Sequence, residues 1–269
     1  MAEAREHYTI AHFSDIHCGD PRFDASLMEE TIAGINGAAP DLVILAGDLT
    51  AAGYREQFEE AKRYFDLIGC GEKIVIAGNH DTRNVGYLHF EELFGERHTT
   101  RQLDFSVLRA GDGEEIQEHI RILALDSTKP DMNDGEIGRR NYKTIRQEFA
   151  EEEPYKIFVL HHHLVSIPNT GRERNVVWDS GDVLQQLKDM KCDLVLHGHR
   201  HVPYNWPVGN TLIVSSGTAS TWRTRGYVQP SYNLIEINSE TVTITNKQPG
   251  GGEARRERFH RRPRPPVAE

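Results

Sequence analysis

The stretch Pro40-Asp41-Leu42-Val43-Ile44-Leu45-Ala46-Gly47-Asp48 decides the fold. Its apolar centre, residues 42–46, is a short continuous run between turn-forming residues, as expected for a strand buried on both faces. Working outward, residues 8–13 read as an earlier strand and residues 25–35 carry apolar residues at helical spacing. Residues 54–68 form a long amphipathic helix, with Phe58, Ala61, Tyr64, Phe65 and Ile68 on one face. Residues 73–77 are the next strand. Strand–helix–strand–helix–strand predicts an α/β fold with a mostly parallel sheet covered by helices.

The second half continues in the same style. Residues 120–125, 156–160 and 193–196 read as strands, and residues 141–149 and 182–190 as helices. From Asn210 onward the pattern turns to strands, at residues 211–214, 232–237 and 242–246, which predicts a second sheet packed on the first. Residues 1–248 are expected to form a single domain. Residues 249–269, rich in Arg, Pro and Gly with almost no apolar content, are expected to be a disordered tail.

Composition bounds the function. The chain has 269 residues, 38% hydrophobic and 27% charged, which suits a soluble globule with a sizeable core. No apolar run approaches the ~18 residues of a membrane helix, and the polar, acidic start shows no secretory signal. Three scattered cysteines argue against a disulfide framework, so a cytoplasmic location is expected. The net charge is −10, and the Arg-rich tail leaves the body more acidic still. That excludes a dedicated nucleic-acid groove as the main design; a phosphate ligand must be attracted locally, by metals or a few arginines.

Five polar clusters recur, each just after a predicted strand: Asp15 and His17; Gly47-Asp48; Gly78-Asn79-His80-Asp81; His161; and Gly198-His199-Arg200-His201. The carboxyl ends of strands in open α/β sheets are where ligands bind. Two divalent ions about 3.5–4 Å apart can clamp the attacking and leaving oxygens of a phosphoryl centre, and such a site needs one bridging carboxylate. Asp48, on a tight Gly47 turn, is the natural bridge. Asp15 and His17 face one side if the strand stays extended past Ser14, and His199 and His201 have the same spacing. Asn79 offers a neutral carbonyl oxygen. This mixed donor set suits Mn, Fe, Zn or Co better than Ca or Mg. His80 is left over, which makes the set look catalytic.

The ordered series resembles the calcineurin-like metallophosphoesterase superfamily, with all five family motifs present between residues 15 and 201. The resemblance implies a four-layer α/β/β/α sandwich of two mixed sheets flanked by helices. It implies one metal on Asp15, His17, Asp48 and His201, and a second on Asp48, Asn79, His161 and His199. A metal-bridging hydroxide would attack phosphorus, with Asn79 and His80 contacting the phosphate. His80 would stabilise charge or protonate the leaving oxygen, and Asp81 would orient it. The compact length, Leu125-Asp126-Ser127, Asp134-Gly135-Glu136 and the segment from Ser215 to Ala219 look most like class III cyclic-nucleotide phosphodiesterases. Where those relatives often show His-His-Pro-Pro, this chain has His161-His162-His163-Leu164. His161 directly follows the strand and is assigned as the ligand; His162 and His163 are the alternatives.

Two segments are candidate rims for substrate: one containing Arg172, Arg174 and Trp178, the other Trp222, Arg223 and Arg225. Arginine suits a phosphate and Trp a base or apolar ester, although solvated loop arginines are the equal alternative. His197 is expected to be a core histidine and Cys18 a small apolar one. The expected partner is a small phosphodiester, a cyclic nucleotide or a broader range of diesters; a homodimer is compatible with this reading. A nuclease, a nucleotide pyrophosphohydrolase and a phosphomonoesterase are the alternatives on the same fold. A non-catalytic scaffold fits poorly, because His80 and all seven ligands persist.

Overall fold

The computed structural model of the protein describes residues 5–172 and 174–262. The first sheet begins with β1 (Tyr8–Phe13), followed by helix α1 (Ala25–Ala38), β2 (Leu42–Ala46), α2 (Arg55–Asp66), β3 (Lys73–Ile76) and α3 (Gly86–Phe94). The second sheet takes β4 (Thr99–Leu108), β5 (Glu115–Ala124), α4 (Arg139–Glu148), β6 (Tyr155–Val159), α5 (Ser180–Asp189), β7 (Leu194–His197), β8 (Tyr204–Val208) and β9 (Thr211–Ser215). The chain then returns to the first sheet with β10 (Tyr232–Ile237), β11 (Thr241–Lys247) and β12 (Glu253–His260).

Strand order is β12-β11-β10-β1-β2-β3 in one sheet and β4-β5-β6-β7-β9-β8 in the other. β1, β2 and β3 are parallel neighbours, as are β5, β6, β7 and β9; the outer strands run antiparallel. Both sheets are therefore mixed, which corrects the expectation of a mostly parallel first sheet: β10 to β12 enter by hairpins and need no helical crossover.

Alternation along β2 shows how the layers form. Leu42, Ile44 and Ala46 face the second sheet, in a core shared with Ile10, Ile122, Ile157 and Leu196. Val43 and Leu45 face the other way, against Met28 of α1, Phe58 of α2 and Phe90 of α3. A third core lies between the second sheet and α4 and α5, around Tyr142, Ile145, Val183 and Leu187. Helix, sheet, sheet, helix is the four-layer sandwich expected. α1 is started by Asp24, whose carboxylate accepts the Ser26 N–H at 3.0 Å. No helix among the described residues is long and apolar enough to cross a membrane.

The expected disordered tail is corrected. Residues 253–260 form β12, paired along β11 with Phe259 opposite Val242. Phe259 packs on the inter-sheet core, and the Arg261 guanidinium meets the Glu118 carboxylate at 2.9 Å. An edge strand gains its order from backbone pairing, so an Arg-rich sequence suffices, and charged edges discourage further pairing. Residues 263–269 of that segment lie outside the described residues. α3, β4 and β8 were also not expected; β4 is half exposed and has no continuous apolar run.

Candidate metal centre

Parallel registry carries the site. Because β1, β2 and β3 are adjacent and parallel, the turns holding Asp15 and His17, Asp48, and Asn79 and His80 leave the same edge of the first sheet. His161 follows β6, and His199 and His201 follow β7, on the facing sheet. All of them are buried, and they converge.

The backbone at these turns is not extended. Asp15, His17, Asp48, His199 and His201 have φ of 58°, 56°, 55°, 72° and 57°. This corrects the expected extension past Ser14. Each left-handed non-glycine residue costs roughly 1–2 kcal/mol and persists because tertiary bonds hold it: the Asp15 N–H donates to the Gly47 carbonyl at 2.9 Å and the His17 N–H to the Asp48 carbonyl at 3.0 Å. Gly47, at φ 87°, leaves no room for a side chain, since a Cβ there would lie 2.6 Å from His161 Nδ1. A Cβ on Gly78 would lie 2.2 Å from an Asp48 carboxylate oxygen.

Two groups of donors result. In the first, Asp15 Oδ1 lies 3.1 Å from His201 Nε2 and 3.8 Å from His17 Nε2. In the second, Asp48 Oδ2 lies 3.4 Å from His161 Nε2, and Asn79 Oδ1 lies 3.2 Å from His161 Nε2 and 2.9 Å from His199 Nδ1. Asp48 Oδ2 is also 3.8 Å from His17 Nε2, so one oxygen stands between both groups. The other oxygens are already committed: Asp48 Oδ1 accepts the His80 N–H at 2.8 Å, and Asp15 Oδ2 accepts the His199 N–H at 2.9 Å.

The cluster fits divalent ions. The His161 ring donates Nδ1–H to the Ala46 carbonyl at 2.7 Å, and the His201 ring donates Nδ1–H to the Arg223 carbonyl. Each Nε2 lone pair then faces a carboxylate oxygen, and His17 and His201 face each other Nε2 to Nε2 at 3.0 Å. Lone pairs pointing at lone pairs in a dry pocket need a cation between them. Asp15 Oδ1 and His17 Nδ1 have no hydrogen-bond partner among the described residues. Three His/Asp groups have ligand atoms within 4.8 Å of one another: Asp15, His17 and His201; His17, Asp48 and His80; and Asp48, His161 and His199.

Electrostatics agree. Burial pushes the His17 imidazole down to about 3, and burial plus neighbouring imidazoles hold His199 well below its usual range. Neutral imidazoles are what metal ligation needs. Burial opposes ionisation of both aspartates, yet His201 brings Asp15 down to about 2 and His161 takes Asp48 well below the usual carboxylate range. His161 is the exception: burial lowers it, but the Asp48 carboxylate outweighs burial and lifts the ring to about 9, so a metal ion at its Nε2 would have to displace a proton.

Of the three consecutive histidines, His161 is the one whose Nε2 joins the donor cluster, 3.4 Å from Asp48 Oδ2. His162 instead bonds the Ser127 hydroxyl at 2.8 Å and the Asn133 carbonyl at 3.2 Å. His163 stacks on the His199 ring at 5.5 Å. His197 is buried, with its Nδ1 on the Gly198 carbonyl, and Cys18 packs in the core beneath α1 and α2.

Asp81 is not the orienter of His80. Its carboxylate accepts the N–H groups of Gly78 at 2.8 Å, Leu49 at 3.1 Å and Thr50 at 2.9 Å, and the Thr50 hydroxyl at 2.8 Å. It therefore ties the β2 and β3 turns together; burial and the Asp48 charge raise it to about 7. His80 is oriented instead by its Nδ1, 2.6 Å from the Ala51 carbonyl. Burial lowers the pKa of His80, partly opposed by Asp48.

Of the expected rim residues, Arg223 reaches the site: its carbonyl holds His201 and its guanidinium stands 3.6 Å from Asp20. Arg172 and Arg174 are exposed. Trp178 is exposed and its ring takes the Lys129 ammonium at 5.3 Å. Sequence reading missed Arg83 and Asn133, which contact His80 and Asn79. The one signal for Arg83 was its place three residues after His80.

The four layers and the ligand cluster define a protein of the α/β/β/α metal-centre class. The calcineurin-like phosphoesterase family model matches residues 8–203, and the chain belongs to that family of hydrolases. It is 29% identical, over 88% of its length and 82% of the relative's, to a probable cyclic nucleotide phosphodiesterase of Rhodococcus erythropolis. It is 26% identical, over 93% of its length and 82% of the relative's, to a cAMP/cGMP dual specificity phosphodiesterase of Mycobacterium tuberculosis. Its fold is similar to that of a purple acid phosphatase from yellow lupin, with a TM-score of 0.72 and 13% identity, covering 96% of this chain and 54% of that one.

Proposed function

We propose that this chain is a dinuclear metal-dependent phosphodiesterase acting on small phosphodiesters, cyclic nucleotides among them. The observation that carries this reading is Asp48 Oδ2, placed between two sets of buried donors. Asp15, His17, Asp48 and His201 would hold one ion, and Asp48, Asn79, His161 and His199 the other. Mn, Fe, Zn or Co suits these donors. Bound there, the ions supply Lewis acidity to a phosphoryl oxygen and a nucleophile at neutral pH.

The chain's own residues do the rest. Backbone carbonyls at Ala46 and Arg223 fix the rings of His161 and His201. His80 commits Nδ1–H to Ala51, so its Nε2 is the atom that exchanges a proton with the leaving oxygen or stabilises its charge. Arg223 supplies positive charge at the mouth against an acidic body. The relatives named as cyclic nucleotide phosphodiesterases support a diester substrate. The three cysteines are unpaired, which fits a reducing compartment such as the cytoplasm.

Steady-state kinetics on Mn-loaded protein test this. The kcat/KM for bis-p-nitrophenyl phosphate is expected to exceed that for p-nitrophenyl phosphate by at least ~10-fold, about 1.4 kcal/mol, with measurable turnover of cyclic AMP. Equal or inverted ratios would assign the chain to phosphomonoesterases, and no cyclic AMP turnover would remove cyclic nucleotides from the range.

A further inference from the structure

An amide ligand has a problem that a carboxylate lacks. Only one end of the Asn79 side chain can coordinate, and the two ends are nearly the same size. If the amide turned over, two hydrogens would face the metal instead of a lone pair. Something must hold the oxygen inward.

The structure shows what does. Asn79 Oδ1 faces His161 and His199, while Asn79 Nδ2 donates outward to Asn133 Oδ1 at 3.3 Å. Asn133 Oδ1 also accepts from Arg83 Nη2 at 2.6 Å. A guanidinium has only donors, so the atom of Asn133 that meets it must be the oxygen. That oxygen can only accept, so the atom of Asn79 that meets it must be the nitrogen. The polarity of the chain Arg83, Asn133, Asn79 is thus set from one end by an arginine that cannot reverse.

The clamp is anchored on both sides. Arg83 Nη1 donates to the Ala51 carbonyl at 3.5 Å, the same oxygen that takes the His80 Nδ1–H at 2.6 Å, so the two side chains share one acceptor. The loop bearing Asn133 is laced to the turn after β3 independently: the Asp131 N–H donates to the Thr82 carbonyl at 3.3 Å, and the Asn84 N–H donates to the Asp131 carboxylate at 3.0 Å. The Asn133 carbonyl further bonds His162 Nε2 at 3.2 Å. The loop between β5 and α4 is therefore held in place by contacts that do not involve the Asn133 side chain.

We propose that Asn133 and Arg83 are positioning residues that lock the Asn79 amide with its oxygen toward the second metal, and that Arg83 couples this lock to the placement of His80. The proposal rests on the reading of Asn79 as a ligand. Partners of this kind behind a metal ligand commonly alter affinity by ~10–100-fold.

The test is Mn titration of metal-free, full-length protein by calorimetry, with Asn133→Ala, Asn133→Asp, Arg83→Lys and Asn79→Ala beside the parent. Asn133→Ala is expected to weaken one of the two bound ions by ~10–100-fold and to leave the other at parental affinity, with the metal-free melting temperature unchanged. Asn133→Asp keeps an acceptor for both donors and is expected to recover affinity to within ~3-fold of the parent. Arg83→Lys, which loses the fork but keeps the charge, is expected to weaken the same ion by a few-fold. It decides the matter should Asn133→Ala fail to fold. Parental affinity in Asn133→Ala together with a loss in Asn79→Ala would overturn the clamp while sparing the ligand. Parental affinity in Asn79→Ala would overturn both. An Asn133→Asp variant as weak as Asn133→Ala would show that the side chain's shape, not its acceptor oxygen, matters, and would overturn the polarity argument.

Discussion

Asp15, His17, Asp48, Asn79, His161, His199 and His201 are all buried, whereas Arg172, Arg174 and Trp178 on the loop beyond β6 are exposed. In the pocket, His161 and His201 are fixed from behind by the carbonyls of Ala46 and Arg223, Asp15 and Asp48 by the N–H groups of His199 and His80, and five of the residues adopt a backbone conformation that costs energy. On the rim, these side chains lie exposed. A buried polar group with the wrong partner is expensive, while an exposed arginine can move or change at little cost. The pocket is therefore over-determined and the rim is not, and substitutions in the two regions should differ by orders of magnitude.

The largest effect is expected at Asp48. Asp48→Asn changes the charge of the one oxygen that stands between both donor groups, so both ions should be lost and turnover should fall by more than the ~10²–10⁴ of a single catalytic group. His201→Ala should cost mainly one ion. Equal, full occupancy in both variants, measured by metal analysis, would show that Asp48 is not shared. Next comes His80→Ala, which should keep two ions while kcat drops ~10²–10⁴-fold; parental turnover would make His80 a bystander.

Stability offers a third comparison, between the core strands and the edge. Truncation after Gln248 removes β12, the Phe259 packing and the Arg261–Glu118 pair. The melting temperature should fall by at least ~5 °C, equivalent to about 2 kcal/mol or a little less in a chain of this size. An unchanged melting curve would mean that the edge strand adds nothing. The smallest effects belong to the rim. Arg223→Ala is expected to raise KM by ~10-fold, about 1.4 kcal/mol, and Arg172→Ala to change it by less than ~2-fold. A reversal of that order would place the substrate arm on the loop beyond β6.

What the sequence made legible follows the same division. The buried Asp/His cluster was readable because a metal accepts few residue types and because strands that are parallel neighbours deliver their ends to one edge; its division between two ions came from the family resemblance. The left-handed turns were not readable, since the bonds that hold Asp15 and His17 come from Gly47 and Asp48 in the turn after β2. The family resemblance implied that Asp81 orients His80, but the N–H groups of Gly78, Leu49 and Thr50 claim that carboxylate. β12 reads as polar tail because backbone pairing, not apolar side chains, orders it. Asn133 gave no signal, because its partners Asn79 and Arg83 are 54 and 50 positions away.

The central claim is a centre of two ions sharing Asp48. Its most direct test is stepwise addition of Mn to metal-free protein while following both bound metal and hydrolysis of bis-p-nitrophenyl phosphate. The structure predicts saturation at two ions per chain, with turnover appearing as the second ion binds. Saturation at one ion, or full turnover in protein shown to be metal-free, would contradict it.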